Sequence, residues 1–279
     1  MLIPGILKGI MTPWYVFALQ ALTPLQNAQT YWLAGFLLVV LVFIYLTRPR
    51  RIYFVRHGET EANAERIRQA EAGSLSKAGR TQAEAAGEYL AQFPIRSIIS
   101  SPYPRAAETA VIISERLKVP LSYSPLLVER RNPSEVVGKK DDDPAVLKVI
   151  DRIDRIYHED DYRYSDEENF ADIKKRARRC LSLLSRQGTG SVCAVTHSIF
   201  LKMVIAYLLF REGLHAKDYA KLSFFNASDN AGIVICEYNP KHMFSATRGW
   251  RVLEYNITPY EGGQGGLSKA PPRIPAQIS

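Results

Sequence analysis

The sequence predicts an α/β domain built on a largely parallel sheet and preceded by a transmembrane helix. Three observations lead there. Short apolar runs alternate with amphipathic helical patterns from residue 52 onward, several of those runs are continuously apolar as strands buried on both faces must be, and residues 31–46 carry no charge. At 279 residues, 47% hydrophobic and 23% charged, the chain suits one domain of roughly 200 residues plus appendages.

Residues 1–27 form an apolar N-terminal segment. Its stretch "IMTPWYVFALQALTPL" (10–25), bracketed by Pro13 and Pro24, reads as a second span, an interfacial segment or a signal-peptide core. Over residues 28–47, "YWLAGFLLVVLVFIYL" with Ala28 to Thr30 in front reaches the length of a short spanning helix. Tyr31, Trp32 and Tyr45 sit where aromatic belts form. "RPRR" follows, which puts the bulk of the chain on the cytoplasmic side of a single-pass membrane protein by the positive-inside rule. No acidic residue precedes Glu59, whereas Lys8, Arg48, Arg50 and Arg51 are basic, so part of the +8 net charge lies at the front. That placement favours an anionic membrane surface over nucleic acid as a partner.

The domain proper spans residues 48–258. Its strands read as "IYFV" (52–55), "SIIS" (97–100), "LSYS" (121–124), "VCAVT" (192–196), "AGIVICEY" (231–238) and "WRVLEYN" (250–256). Ser76 caps a helix over "KAGRTQAEAAGEYLAQF", a second follows a Ser-Pro start at "YPRAAETAVIISERL", and a third, "FADIKKRARRCLSLLSRQ", ends before "GTG". Residues 139–169 are strongly charged, with a possible helix at "PAVLKVIDRIDRIY", and read as a solvated surface, with a substrate-covering lid as the sharper alternative. The tail 259–279, with "EGGQGG" and "APPRIPAQIS", has the composition of disorder. Cys180, Cys193 and Cys236 are odd in number, widely spaced and without any zinc-type cluster, so they read as reduced core residues.

In open α/β sheets, ligands gather at the carboxyl ends of the strands, and three such ends carry cations here. "IYFV" is followed by Arg56 and His57, "SIIS" by "SPYPR" with Arg105 near a helix start, and "VCAVT" by His197. Side by side and parallel, those strands bring two arginines and two histidines to one spot. Planar guanidinium forks match the oxygens of a tetrahedral anion, and a neutral imidazole is a competent nucleophile toward phosphorus. Glu129, in "LLVERR", offers a carboxylic acid to protonate a leaving alkoxide and then help activate water.

With those positions in hand, the chain from about residue 51 to 256 resembles the histidine phosphatase superfamily, also called phosphoglycerate mutase-like. "RHGETEAN" carries the resemblance most specifically. "LSKAGRTQA", "SSPYPRAAETA", the glutamate of "LLVERR", "VTHS" and the closing "WRVLEYN" accompany it. The resemblance implies a three-layer sandwich with a mostly parallel mixed sheet flanked by helices. It also implies a phosphorylated nucleophile at His57, a phosphoryl clamp of Arg56, Arg105 and His197, a phosphate contact from Asn63, and Glu129 as proton donor. No cofactor and no metal are implied.

Two departures shape the expectation. "ERRNPSEVVGKK" stands where phosphoglycerate mutases resemble one another in Glu-Arg-His-Tyr-Gly, which favours hydrolysis over mutase chemistry. Ser198 stands where the family commonly has glycine after its second histidine, and is counted among the substrate-binding residues. The expected activity is a metal-independent phosphoric monoester hydrolase acting on a phosphorylated small molecule or a phosphorylated membrane-associated substrate, without nucleic acid. A phosphotransferase or mutase, or a catalytically silent module that binds a phosphorylated ligand, are the alternatives.

Overall fold

The computed structural model describes residues 28–156, 159–188, 190–222 and 228–260. The apolar segment at 1–27 and the tail beyond residue 260 lie outside the described residues. The chain divides into two compact units, Met1–Arg48 and Pro49–Ser279.

In the first unit, helix α1 (Ala28–Leu46) carries an apolar surface in which Trp32, Leu33 and Phe36 are among the exposed side chains. No helix among the described residues is long and apolar enough to cross a membrane. This corrects the expected transmembrane helix at 28–47, together with the single-pass location and cytoplasmic placement that followed from it. The physical reason is length. The 19 residues of α1 rise about 28 Å at ~1.5 Å per residue, at the short end of what a hydrocarbon core ~30 Å thick requires.

The second unit is built on a six-stranded sheet. Its strands are β1 (Arg50–Arg56), β2 (Ile95–Ser100), β3 (Leu121–Tyr123), β4 (Ser191–Thr196), β5 (Ile233–Tyr238) and β6 (Trp250–Ile257). They lie in the order β3-β2-β4-β1-β5-β6, the first four paired in parallel, with β5 antiparallel to β1 and β6 antiparallel to β5. The sheet is therefore mixed and mostly parallel, as expected. Its helices are α2 (Glu61–Ala64), α3 (Lys77–Leu90), α4 (Pro104–Leu117), α5 (Pro144–Ile156), α6 (Phe170–Ser185), α7 (Ser198–Phe210) and α8 (Ala216–Lys221).

Alternation along β1 explains why its sequence is continuously apolar. Ile52 and Phe54 join a core with Ala177, Leu181, Leu201 and Val204 of α6 and α7, while Tyr53 and Val55 join one with Ala86, Leu90, Ala110 and Ile113 of α3 and α4. Both faces of the strand are covered, so neither parity tolerates a polar side chain. The result is three layers. The three cysteines are buried and unpaired, and burial pushes each thiol up to about 12; they are inert packing residues.

Helix α7 was not legible in the sequence. "SIFLKMVIAYLLF" has no polar stripe, because Phe200, Leu201, Met203, Val204 and Ala206 are all buried around its circumference. Without a wet face a helix carries no amphipathic period.

The charged stretch differs from a plain solvated surface. Gly138 to Asp141 lies against Arg66 to Arg68, with Arg68 N donating to Lys139 O, Gly138 N to Arg68 O and Asp141 N to Arg66 O. Val146, Val149 and Ile153 of α5 close a small core of their own with Val136. Glu167 is buried and accepts from Tyr164 N and Ser165 N at 2.6 and 2.7 Å.

The loop after β1 is clamped onto the start of α3. Ser76 Oγ accepts from Gly79 N at 3.0 Å, and Ser76 N donates to Glu59 O at 2.9 Å. A Cβ at Gly79 would stand 2.0 Å from Glu59 O, and one at Gly58 2.3 Å from Gly79 O. Backbone meets backbone here, so no side chain can yield. Gly79→Ala is expected to destabilise the domain by about 1–3 kcal/mol, read as a lower urea midpoint at unchanged m-value. An unshifted midpoint would show that the loop slides away without cost.

Candidate active site

Parallel pairing of β1 with β4 places the two strand ends in register, Arg56 opposite Thr196. His57 N then donates to Thr196 O at 2.9 Å, so His57 and His197 leave the sheet side by side. Their ring centroids are 5.1 Å apart, at 61° between planes. Both rings are buried.

His57 Nδ1 lies 2.7 Å from Gly58 O. A carbonyl only accepts, so Nδ1 holds the proton and Nε2 keeps its lone pair. Burial, followed by the charges of Arg56 and Arg105, holds the His57 imidazole well below its ordinary 6.5. His197 is likewise well below 6.5, from burial first and then His57, Arg105, Arg176 and Arg56. Two neutral imidazoles thus stand between two guanidinium groups.

Arg105 enters at the first turn of α4 and is 2% exposed. Its Nη1 donates to Ala70 O, Glu71 O and Ala72 O at 3.0–3.3 Å. Thr109, one turn on, donates to Arg105 O and accepts from Gly58 N, which ties α4 to the loop that follows His57. Arg56, at the end of β1, donates through Nη1 to Ser228 O, and its buried Nε has no partner among the described residues. Burial lowers both arginines from their ordinary 12.5, and the carboxylate of Glu129 is the leading influence in the other direction on each.

Glu129 is held at the N-terminus of α7. Its Oε1 accepts from Phe200 N at 2.9 Å and Arg130 N at 2.8 Å, while Oε2 accepts from Ile199 N at 3.2 Å. Free N–H groups and the positive end of the helix dipole anchor the carboxyl. It also lines a cavity of about 270 Å³ with Tyr103, Gln69, Glu71, Arg130 and Arg131.

The remaining expected residues sit at the margin. Asn63 lines a second cavity with Arg56, and its side chain is engaged in a capping box, accepting from Thr60 N at 3.3 Å. Ser198 opens α7 directly after His197.

Sequence reasoning missed three residues. Tyr103 stacks edge-on to His197 at 5.3 Å and lies under the Arg105 guanidinium, also at 5.3 Å. Ser101 Oγ lies 2.8 Å from His197 Nε2. Arg176 pairs with Glu168 at 2.5 Å, donates to Val128 O at 2.6 Å and lies 4.1 Å over the Phe200 ring. Ser101 and Tyr103 stood inside the quoted "SSPYPR". Arg176 was hidden in "KKRARR", where it turns inward while Lys175, Arg178 and Arg179 are exposed.

The sequence profile of the histidine phosphatase superfamily (branch 1) matches residues 52–251. A glucosyl-3-phosphoglycerate phosphatase of Mycolicibacterium vanbaalenii is 42% identical over 83 residues, 29% of this chain and 37% of that protein. A Salmonella arizonae protein named "Probable phosphoglycerate mutase GpmB" is 30% identical over 181 residues, 64% of this chain and 82% of its own length. Among solved structures, a mycobacterial glucosyl-3-phosphoglycerate phosphatase superposes with a TM-score of 0.59 at 25% identity, covering 75% of this chain and 99% of that one.

The buried neutral histidines predict a pH dependence of stability. Unfolded, each binds a proton below about 6.5; folded, each resists it until much lower pH. Their contribution is therefore complete above pH ~6.5 and is lost as pH falls from there, at about 1.4 kcal/mol per pH unit per histidine. Urea unfolding between pH 7 and 5 is expected to show a shallower slope for His57→Gln than for wild type. Equal slopes would mean that His57 titrates normally in the folded chain.

Proposed function

Because the chain belongs to the histidine phosphatase superfamily, we propose that it hydrolyses a phosphomonoester through a phosphohistidine intermediate on His57. The observation that carries this reading is the tautomer. The Nδ1–H of His57 is used on Gly58 O, which leaves the Nε2 lone pair on a ring kept neutral by burial and two arginines.

In the first step Nε2 attacks phosphorus, the P–N bond forms and the P–O bond to the leaving group breaks. Arg56, Arg105 and His197 take up the charge on the non-bridging oxygens, a role that buried, pre-aimed donors perform without reorganisation. Glu129 delivers its proton to the departing alkoxide. Its Oε2 receives one N–H and retains a lone pair on which that proton rides, while Oε1 is filled by two. In the second step water attacks phosphorus and passes its proton to Glu129, the P–N bond breaks, and phosphate is released with His57 restored. Asn63 and Ser198 are assigned to the rim of the phosphate site.

The cavity lined by Glu129, Tyr103, Arg130 and Arg131 is where the leaving group lies. Its mixture of one aromatic face, two cations, Glu71 and Asp166 suits a polar, hydroxyl- or carboxylate-bearing small molecule. The match to the GpmB-named relative, over 82% of that protein, favours phosphotransfer to a second substrate as the alternative reading. The two differ in whether phosphate appears free in solution or on an acceptor.

The test measures phosphate release over a panel of phosphomonoesters and acid-labile labelling of the protein. His57→Ala is expected to abolish labelling and to lower kcat by at least about a thousandfold. Glu129→Gln is expected to lower kcat by about 10²–10⁴ on alkyl phosphates but far less on p-nitrophenyl phosphate, whose leaving group needs no proton. Equal losses on both substrates would remove Glu129 from the proton-donor role. Turnover that survives His57→Ala would remove the phosphohistidine.

A further inference from the structure

The two site histidines are wired in opposite senses. Among the described residues, His57 uses its Nδ1 on a main-chain carbonyl and leaves Nε2 free, whereas His197 uses its Nε2 on Ser101 Oγ, 2.8 Å away, and leaves a buried Nδ1 without a partner. Which atom of the Ser101–His197 pair donates follows from counting protons. Ser101 Oγ already accepts from Tyr103 N at 3.2 Å, and its other described polar neighbour is His197 Nε2.

A hydroxyl has one proton to give. If the serine gives it to Nε2, both groups are satisfied, and the neutral ring carries its own proton on Nδ1. In the reverse arrangement the serine proton is unused, and Nδ1 presents a lone pair beside the nucleophile, where it repels a phosphoryl oxygen. Ser101 is itself fixed, fully buried, with its backbone N donating to Val195 O on β4 at 3.0 Å. The serine is thus locked to the same strand that delivers His197.

We propose that Ser101 is a positioning residue that holds His197 as its Nδ1–H tautomer, so that His197 meets the phosphoryl group as a neutral hydrogen-bond donor. The inference rests on the phosphatase reading for its consequence, although the tautomer itself does not. The site then contains one imidazole that supplies a lone pair and one that supplies a proton, with guanidinium groups carrying the positive charge. A cationic His197 would add a third charge beside the nucleophile and oppose the neutral pair that burial enforces.

The experiment is long-range ¹H–¹⁵N correlation spectroscopy of the full chain labelled at imidazole nitrogens, in inorganic phosphate, with His197 assigned by its loss in His197→Gln. The expected wild-type pattern is Nδ1–H. In Ser101→Ala the fixed tautomer is expected to give way to Nε2–H or an exchanging mixture, with kcat reduced about tenfold, the size of one hydrogen bond. Ser101→Thr, which keeps the hydroxyl, restores both. An Nε2–H wild type overturns the proposal, as does an unchanged tautomer in Ser101→Ala. Should Ser101→Ala not fold, the wild-type spectrum alone decides. An Nδ1–H wild type that releases phosphate from no ester overturns the phosphatase reading and leaves the tautomer assignment standing.

Discussion

The parallel pairing of β1 with β4 is the constraint on which the site depends. One hydrogen bond past the end of the ladder, from His57 N to Thr196 O, sets the two imidazoles at 5.1 Å. Parallel strands make such an arrangement natural, because both chains emerge at the same edge and both carboxyl ends face one crevice. An antiparallel pair would send the second histidine to the far edge of the sheet. The antiparallel strands β5 and β6 accordingly lie outside the four-stranded parallel portion that bears the cluster.

His57, His197 and Arg105 are buried at that edge, and burial has opposite consequences for the two residue types. The imidazoles respond by staying neutral, which is what a nucleophile and a neutral donor require. The guanidinium groups cannot lose their proton at ordinary pH, so they find oxygen instead. Arg105 takes three carbonyls of the 70–72 loop, and Arg56 takes Ser228 O. Neutral carbonyls compensate a buried cation only in part. A dianionic phosphoryl group would compensate it better, so that in the proposed reaction binding and charge stabilisation come from the same atoms.

Glu129 needs a different kind of support, since it lies on an irregular segment. Two N–H groups at the start of α7, from Ile199 and Phe200, and that of Arg130 next in the chain hold its carboxyl. Arg176, paired with Glu168, holds the backbone of Val128 beneath it. The residues around α5 reach the same neighbourhood from outside: Glu168 N bonds Arg131 O, and segment 138–141 lies against 66–68. The small core of Val136, Val146, Val149 and Ile153 keeps that outer layer in shape. The stretch whose sequence is dominated by charge thereby reaches the cavity beside Glu129, which Asp166 helps to line.

The sequence alone determined the six strands, the mixed and mostly parallel sheet, and the positions of Arg56, His57, Arg105 and His197 at strand and helix ends. These were legible because burial on both faces writes continuous apolar runs, and because a cation directly after such a run has one physical place to go. The apolar run at 28–47 misled, because composition and flanks signal a span while no described helix is long and apolar enough to make one. Only the tertiary structure decided that α7 exists, that Arg176 turns inward among exposed neighbours, and that Ser101 engages the second histidine. Each of those rests on a contact between residues far apart in the chain, 96 positions apart for Ser101 and His197. A local pattern records which faces of an element are wet, but not which atom of a distant element will meet them.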